Sequence, residues 1–169
     1  MKILLLEDEL MLNNAISEYL KNIGHMVESF SDGQEVLDNI NNTYDLLILD
    51  INVPTKDGFE ILSELNSKKI YIPTIFISAL IDIEDISKAY SLGCREYIKK
   101  PFHLGELGIK INQILKKEQN NTTHIKFSEN YSYSKDKQTL YFNGEPQSLT
   151  KKQLEIVHIL ALNINMIVD

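Results

Sequence analysis

Three carboxylates, a lysine and a hydroxyl stand in this sequence where apolar runs close: Glu7-Asp8 after KILLL, Asp50 ending LLILD, Ser78 ending TIFIS, and Lys100 after EYIK. Carboxylates gathered at one point repel each other, which raises a pKa or recruits a cation. Hard oxygen ligands with open positions suit Mg²⁺, which keeps several waters and takes a few carboxylates plus phosphate oxygens. A lysine and a hydroxyl at the same rim add a point charge and a donor for phosphoryl oxygens. Nucleophile, divalent ion and fixed donors are the equipment of phosphoryl transfer. Taken singly, each residue has a plainer reading. Glu7-Asp8-Glu9 is a solvated acidic start to a helix, which the helix dipole favours. Asp50 is a turn former, Ser78 a helix cap, and Lys99-Lys100 a solvated surface. Their joint placement is what points to chemistry.

That placement depends on elements that bring the runs side by side. Lys2–Leu6 reads as a buried strand, since a continuous apolar run of this length suits a parallel sheet. Leu12, Ile16, Leu20 and Ile23 recur at helical spacing, and Gly24 is a stop just beyond them. Met26–Phe30 is a second strand, and Ser31 can cap a helix that turns Val36, Leu37 and Ile40 inward. Leu46–Asp50 is the third strand, Gly58–Asn66 a helix, and Thr74–Ser78 the fourth strand. Ile83, Ile86 and Tyr90 mark another helix, Glu96–Lys99 a fifth strand, and Leu104, Leu107, Ile111, Ile114 and Leu115 one face of a fifth helix. Strands alternating with helices predict a doubly wound α/β domain: a five-stranded parallel sheet with helices on both faces. Ligands of such sheets bind beyond the carboxyl ends of the strands, at the topological switch point. Glu7, Asp8, Asp50, Ser78 and Lys100 all fall at those ends.

The charge balance is acidic, 17 Lys+Arg against 24 Asp+Glu, and uneven. Residues 1–118 hold 12 basic and 19 acidic groups, and residues 119–169 hold five of each. Neither part carries the basic stripe of a nucleic-acid binder. No apolar run approaches a membrane span. The start, MKILLLEDE, turns acidic too early for a signal peptide. The single cysteine, Cys94, allows no internal disulfide, so the expected location is the cytoplasm. His25, His103, His124 and His158 lack metal-ligand spacing and read as structural or surface residues.

Past Lys117 the texture changes. Residues 118–123, EQNNTT, read as a polar linker without periodicity. Short alternating pieces follow at His124–Phe127, Tyr131–Tyr133 and Thr139–Phe142, with Asn143-Gly144 as a hairpin signal. Thr150 and Gln153 form a capping box, opening a helix with Leu154, Val157, Leu160 and Ala161 inward.

LLLEDE at 4–9, DLLILDINVPTKDGFEIL at 45–62, TIFISAL at 74–80 and GCREYIKKPF at 93–102 make residues 1–118 resemble the receiver domain of two-component response regulators. The resemblance implies a flavodoxin-like fold with strand order 2-1-3-4-5, and a regulatory protein rather than an enzyme, one that promotes its own phosphorylation and dephosphorylation. It implies Asp50 as phosphoacceptor for a sensor histidine kinase. Asp8 is implied as a direct Mg²⁺ ligand, Glu7 as one acting through water, and Asn52 as a ligand through its backbone carbonyl. Lys100, before Pro101 and its often cis bond, would pair with Asp50 and then with the phosphoryl group. Ser78 and the backbone N–H of Ala79 would bind phosphoryl oxygens, and Tyr97 matches the aromatic switch. Cys94 fills a position where the family often has alanine, which points to packing.

Residues 124–164, with LTKKQLEIV from Leu149, resemble the opening of the winged-helix effector domain of the OmpR/PhoB subfamily. The implied organisation is a receiver domain over 1–118, a linker over 119–123, and over 124–169 the truncated N-terminal part of a DNA-binding domain. The recognition helix would lie beyond Asp169, so DNA is a partner only for a complete effector domain. The subfamily forms homodimers through the fourth helix, fifth strand and fifth helix. Here Glu96, Glu106 and Lys110 fit its charge pattern, while Ile86 and Arg95 depart from it. Two other readings share parts of this site. An aspartyl-phosphate hydrolase of the haloacid dehalogenase type wants an Asp where Asn52 stands and a nucleophile after the first strand. A flavin binder shares the strand order, but Glu7-Asp8-Glu9 would repel its phosphate.

Overall fold

Five short parallel strands form the first sheet: β1 (Lys2–Leu6), β2 (Met26–Phe30), β3 (Leu46–Asp50), β4 (Thr74–Ser78) and β5 (Glu96–Lys99), in the order β2-β1-β3-β4-β5. This is the expected doubly wound α/β sheet. The computed structural model describes residues 1–41, 43–80 and 82–162, with the backbone alone for 117–124 and 162. Position in the sheet explains composition. The inner strands β1, β3 and β4 are buried almost throughout and are the near-continuous apolar runs, whereas the edge strands β2 and β5 are partly exposed and mixed. The helices between them are α1 (Leu10–Asn22), α2 (Gly33–Asn39), α3 (Gly58–Ser67), α4 (Ile83–Ser91) and α5 (Leu104–Thr123).

Several helix details differ from the sequence reading. Asp32, not Ser31, caps α2, its carboxylate accepting from the N–H groups of Gln34 and Glu35. Ile23 is exposed, because α1 ends at Asn22 and its buried face runs through Asn13, Ile16, Ser17 and Leu20. On α4 the large residues Ile83 and Tyr90 face solvent, and Ala89 is the residue packed on the core. Residues 119–123, expected as an irregular linker, continue α5 to Thr123. No proline or glycine in EQNNTT stops a helix already under way.

Contacts divide the chain into Met1–Asn112 and Gln113–Asp169, a division falling within α5. The second unit holds an antiparallel sheet ordered β6 (His124–Lys126), β7 (Tyr131–Ser134), β8 (Thr139–Phe142) and β9 (Glu145–Pro146), then α6 (Lys151–Leu162). Asn143 and Gly144 both adopt positive φ, 50° and 83°, the geometry of the tight hairpin that joins β8 to β9. The capping box forms: Thr150 N–H donates to Gln153 Oε1 at 2.9 Å, and Gln153 N–H to Thr150 Oγ1 at 3.4 Å. Ala161 is buried and Leu154 and Val157 half-buried, but Leu160 is exposed. Residues 163–169 of the expected effector part lie outside the described residues.

Candidate functional site

Asp50 ends β3, beside β1, where the strand order reverses. The residue is only 5 % exposed. Oδ1 accepts the backbone N–H of Asn52 at 3.1 Å, and Oδ2 lies 2.5 Å from the Lys100 Nζ. Glu7 follows β1 and extends it, donating its N–H to the Phe30 carbonyl at 3.0 Å. Its side chain is wholly buried, and Oε1 accepts from Lys100 Nζ at 2.9 Å and from the Glu9 N–H at 3.3 Å. Oε2 stands 2.7 Å from the same ammonium yet has no hydrogen-bond partner among the described residues. Asp8, the next residue, is exposed on the open side. One oxygen each of Glu7, Asp8 and Asp50 lie within 4.8 Å of one another.

Lys100 is aimed by the sheet. Its N–H continues the ladder to the Ser78 carbonyl at 2.8 Å, and the Lys100–Pro101 bond is cis. Its neighbour Lys99, paired in register with Ser78, is exposed, as alternation along a strand requires. Burial is the largest influence on the Lys100 ammonium and pulls its pKa down; the hydrogen bonds to Asp50 and Glu7, with their charges, outweigh it and leave the pKa raised. The Glu7 carboxyl is also raised, by burial first and by the charge of Asp50, against the Lys100 hydrogen bond. One ammonium is thus shared between two buried carboxylates.

Ser78 and Tyr97 lie along the same strand ends. The Ser78 hydroxyl is buried and accepts the Leu80 N–H at 3.1 Å, and Ala79 between them is exposed. Tyr97, half-buried and in register with Phe76, donates its hydroxyl to the Leu80 carbonyl at 2.9 Å. Ser78 is thus engaged with its own turn rather than with Asp50. Of the expected site residues, Glu7, Asp8, Asp50, Asn52 and Lys100 converge directly, and Ser78, Ala79 and Tyr97 stand along the neighbouring strand ends.

This donor set fits Mg²⁺. It consists of oxygens, it carries surplus negative charge, and it includes a buried carboxylate oxygen, Glu7 Oε2, without a hydrogen-bond partner. A supporting residue escaped the sequence reading. Asn13, buried on α1, donates its amide to the Glu7 carbonyl at 2.8 Å and to the Phe30 carbonyl at 3.4 Å, tying the helix to the site. Its signal was a polar residue on the inward stripe of α1. Elsewhere, burial pushes the Cys94 thiol up to about 12, in keeping with packing, and His158 Nδ1 pairs with the Tyr133 hydroxyl at 2.8 Å.

Residues 3–112 match the response regulator receiver domain. The transcriptional regulatory protein RprY of Bacteroides fragilis is 31% identical over 173 residues, covering 100% of this chain and 73% of that protein. CiaR of Streptococcus pneumoniae, also a transcriptional regulatory protein, is 30% identical over 98% of this chain and 74% of its own length. Among solved structures, response regulator DrrB, an OmpR/PhoB homolog from Thermotoga maritima, matches with TM-score 0.63 and 25% identity, over 96% of this chain and 72% of that one. Among the described residues, no helix is long and apolar enough to cross a membrane.

Proposed function

This chain belongs to the response regulator receiver family, with relatives of the OmpR/PhoB type, and from that premise we propose that it accepts a phosphoryl group on Asp50 from a sensor histidine kinase. The observation that carries the reading is the Asp50 carboxylate at the switch point, bridged by Lys100 to the buried Glu7, with Asp8 beside them. An Asp50 oxygen forms the new O–P bond while the donor's P–N bond breaks and the imidazole leaves. The Lys100 ammonium passes from the carboxylate to the incoming phosphoryl oxygens, so positive charge is in place before the transfer. The Ser78 hydroxyl and the Ala79 N–H supply the remaining donors. Asp8, Asp50 and the Asn52 carbonyl, with Glu7 acting through water, would hold Mg²⁺, whose charge would offset that of the phosphoryl group.

The second unit, an antiparallel sheet followed by a capped helix, fits the opening of a winged-helix effector domain. DNA recognition would belong to the complete effector domain, brought to its site as a homodimer through α4, β5 and α5. This reading places the chain in the cytoplasm, acting on transcription as the names of RprY and CiaR state for those proteins.

Intact-mass measurement after incubation with acetyl phosphate and Mg²⁺ tests the acceptor. One phosphoryl adduct is expected on the parent, none on Asp50→Asn, and none in excess EDTA. An adduct on Asp50→Asn overturns the assignment.

A further inference from the structure

Helix α2 and the loop that follows Asp50 are joined by a contact that the chemistry above does not use. Asp32 Oδ1 caps α2, accepting the N–H of Gln34 at 2.8 Å and of Glu35 at 3.3 Å. The same oxygen accepts the Thr55 hydroxyl at 2.7 Å, and Thr55 Oγ1 in turn accepts the Gln34 N–H at 3.0 Å. Beside it the Gly33 N–H donates to the Pro54 carbonyl at 3.1 Å. The approach is close enough that a Cβ on Gly33 would fall 1.9 Å from the Lys56 oxygen. Thr55 itself holds φ at 66°. A β-branched residue is strained there, and such strain persists only where the surroundings over-determine the conformation. The surroundings are Asp32 and the first turn of α2. A glycine would take this φ without strain but would bring no hydroxyl.

The segment held in this way runs directly from Asp50. The Asn52 N–H donates to Asp50 Oδ1 at 3.1 Å, Val53 to Ile51 at 3.3 Å, Lys56 to Pro54 at 2.9 Å, and Gly58 to Ile51 at 3.0 Å. From Asp50 to Gly58 the backbone is thus a closed series of turns, pinned from outside at Pro54 and Thr55. Displacement of Thr55 passes through Pro54 and Val53 to Asn52, whose backbone meets the reacting carboxylate.

We propose that Asp32 and Thr55 are positioning residues for Asp50: the bond between them holds the Asn52 backbone at the Asp50 carboxylate and so sets how readily the site takes a divalent cation and a phosphoryl group. The inference rests on the phosphoacceptor reading above. Groups outside the ligand shell that fix the ligands commonly change metal affinity by about tenfold or more when removed. The Asp32 carboxyl is held below the usual range by the Thr55 hydroxyl first of all, with the Glu35 and Gln34 N–H groups behind it.

The test follows adduct formation from acetyl phosphate across a Mg²⁺ series, on the full chain, with melting temperatures alongside. Thr55→Val keeps the shape without the hydroxyl and should raise the half-saturating Mg²⁺ concentration by about tenfold. Thr55→Ser keeps the hydroxyl, and Asp32→Asn keeps an acceptor oxygen; both should return to near the parent. Thr55→Gly relieves the strain, so it should melt near the parent and still demand more Mg²⁺, which separates positioning from stability. Parent-like Mg²⁺ dependence in Thr55→Val and Thr55→Gly overturns the inference, as does a rise that only tracks melting temperature and that Thr55→Ser does not reverse. A parent chain that takes no phosphate, or takes it equally as Asp50→Asn, marks failure of the phosphoacceptor reading itself, and this inference falls with it.

Discussion

The Lys100 ammonium sits between the carboxylates of Asp50 and Glu7, and its removal leaves two buried acidic groups facing each other without a cation. Its pKa in the fold lies above the ordinary 10.5. Its contribution to stability is therefore fully present below that value and is lost only as pH rises past it. At neutral pH the charge is in place, and Lys100→Ala should slow adduct formation by about a hundredfold, the scale of losing one fixed donor in a water-poor site. Lys99→Ala removes an exposed neighbour and should leave the rate within about twofold. Initial rates by intact mass decide it, and equal losses from both substitutions would contradict the register of β5. Most of this site was legible because each chemical residue closes an apolar run, so sheet topology alone brings Glu7, Asp8, Asp50 and Lys100 together. Asn13 showed only as a polar residue on the inward stripe of α1, and Asp32 and Thr55 not at all. Their roles come from tertiary contacts between segments 6 to 23 residues apart, which no local spacing announces.

Among the elements, α3 is held closely at its start. Asp57 caps it in a reciprocal box with Glu60, at 2.7 and 3.0 Å. Gly58 lies so close to the end of β3 that a Cβ would meet the Asp50 carbonyl at 2.6 Å and the Ile51 Cα and Phe76 ring at 3.1 Å. Glycine to alanine within a helix ordinarily stabilises by about 0.5–1 kcal/mol. Here overpacking against backbone reverses the sign, and Gly58→Ala should cost about 1–3 kcal/mol in urea unfolding. Gly105→Ala on α5, where nothing lies within 4 Å, should show the ordinary gain. A stabilised Gly58→Ala would mean that the helix and strand end can separate freely. The positions of the strands were readable because the three inner ones are buried on both faces and so are near-continuous apolar runs. Helix faces were less readable where apolar residues lie on more than one side. On α4, Ile83, Ile86 and Tyr90 share helical spacing, but the single methyl of Ala89 makes the buried contact. On α6 the exposed Ile156, Ile159 and Leu160 blur the same signal.

For the whole molecule, the proposed phosphorylation of Asp50 raises the question of how it would reach a partner protomer. The Ser78 hydroxyl accepts the Leu80 N–H, and the Leu80 carbonyl accepts the Tyr97 hydroxyl. Turning Ser78 toward a phosphoryl oxygen would take the acceptor from Leu80, loosen that turn and release Tyr97, which belongs to β5 between α4 and α5. Those helices expose Ile83, Tyr90 and Ile109, with Ile83 79% accessible. Lys110 and Glu96 are already paired at 2.8 Å within the chain. A dimer on these elements would therefore draw more on apolar burial than on cross-protomer charge, and rising salt should weaken it little. Phosphorylation needs only to shift a pre-existing equilibrium, and a swing from 1:99 to 99:1 requires about 5.5 kcal/mol of preference for one state. Sedimentation with and without beryllofluoride, in low and high salt, measures that shift. The parent should move from mostly monomer to dimer on adding beryllofluoride, Ile83→Asp should lose the dimer while still taking the phosphoryl adduct, and Tyr97→Ala should blunt the response. A dimer fraction indifferent to beryllofluoride, or one untouched by Ile83→Asp, would place the coupling on another surface.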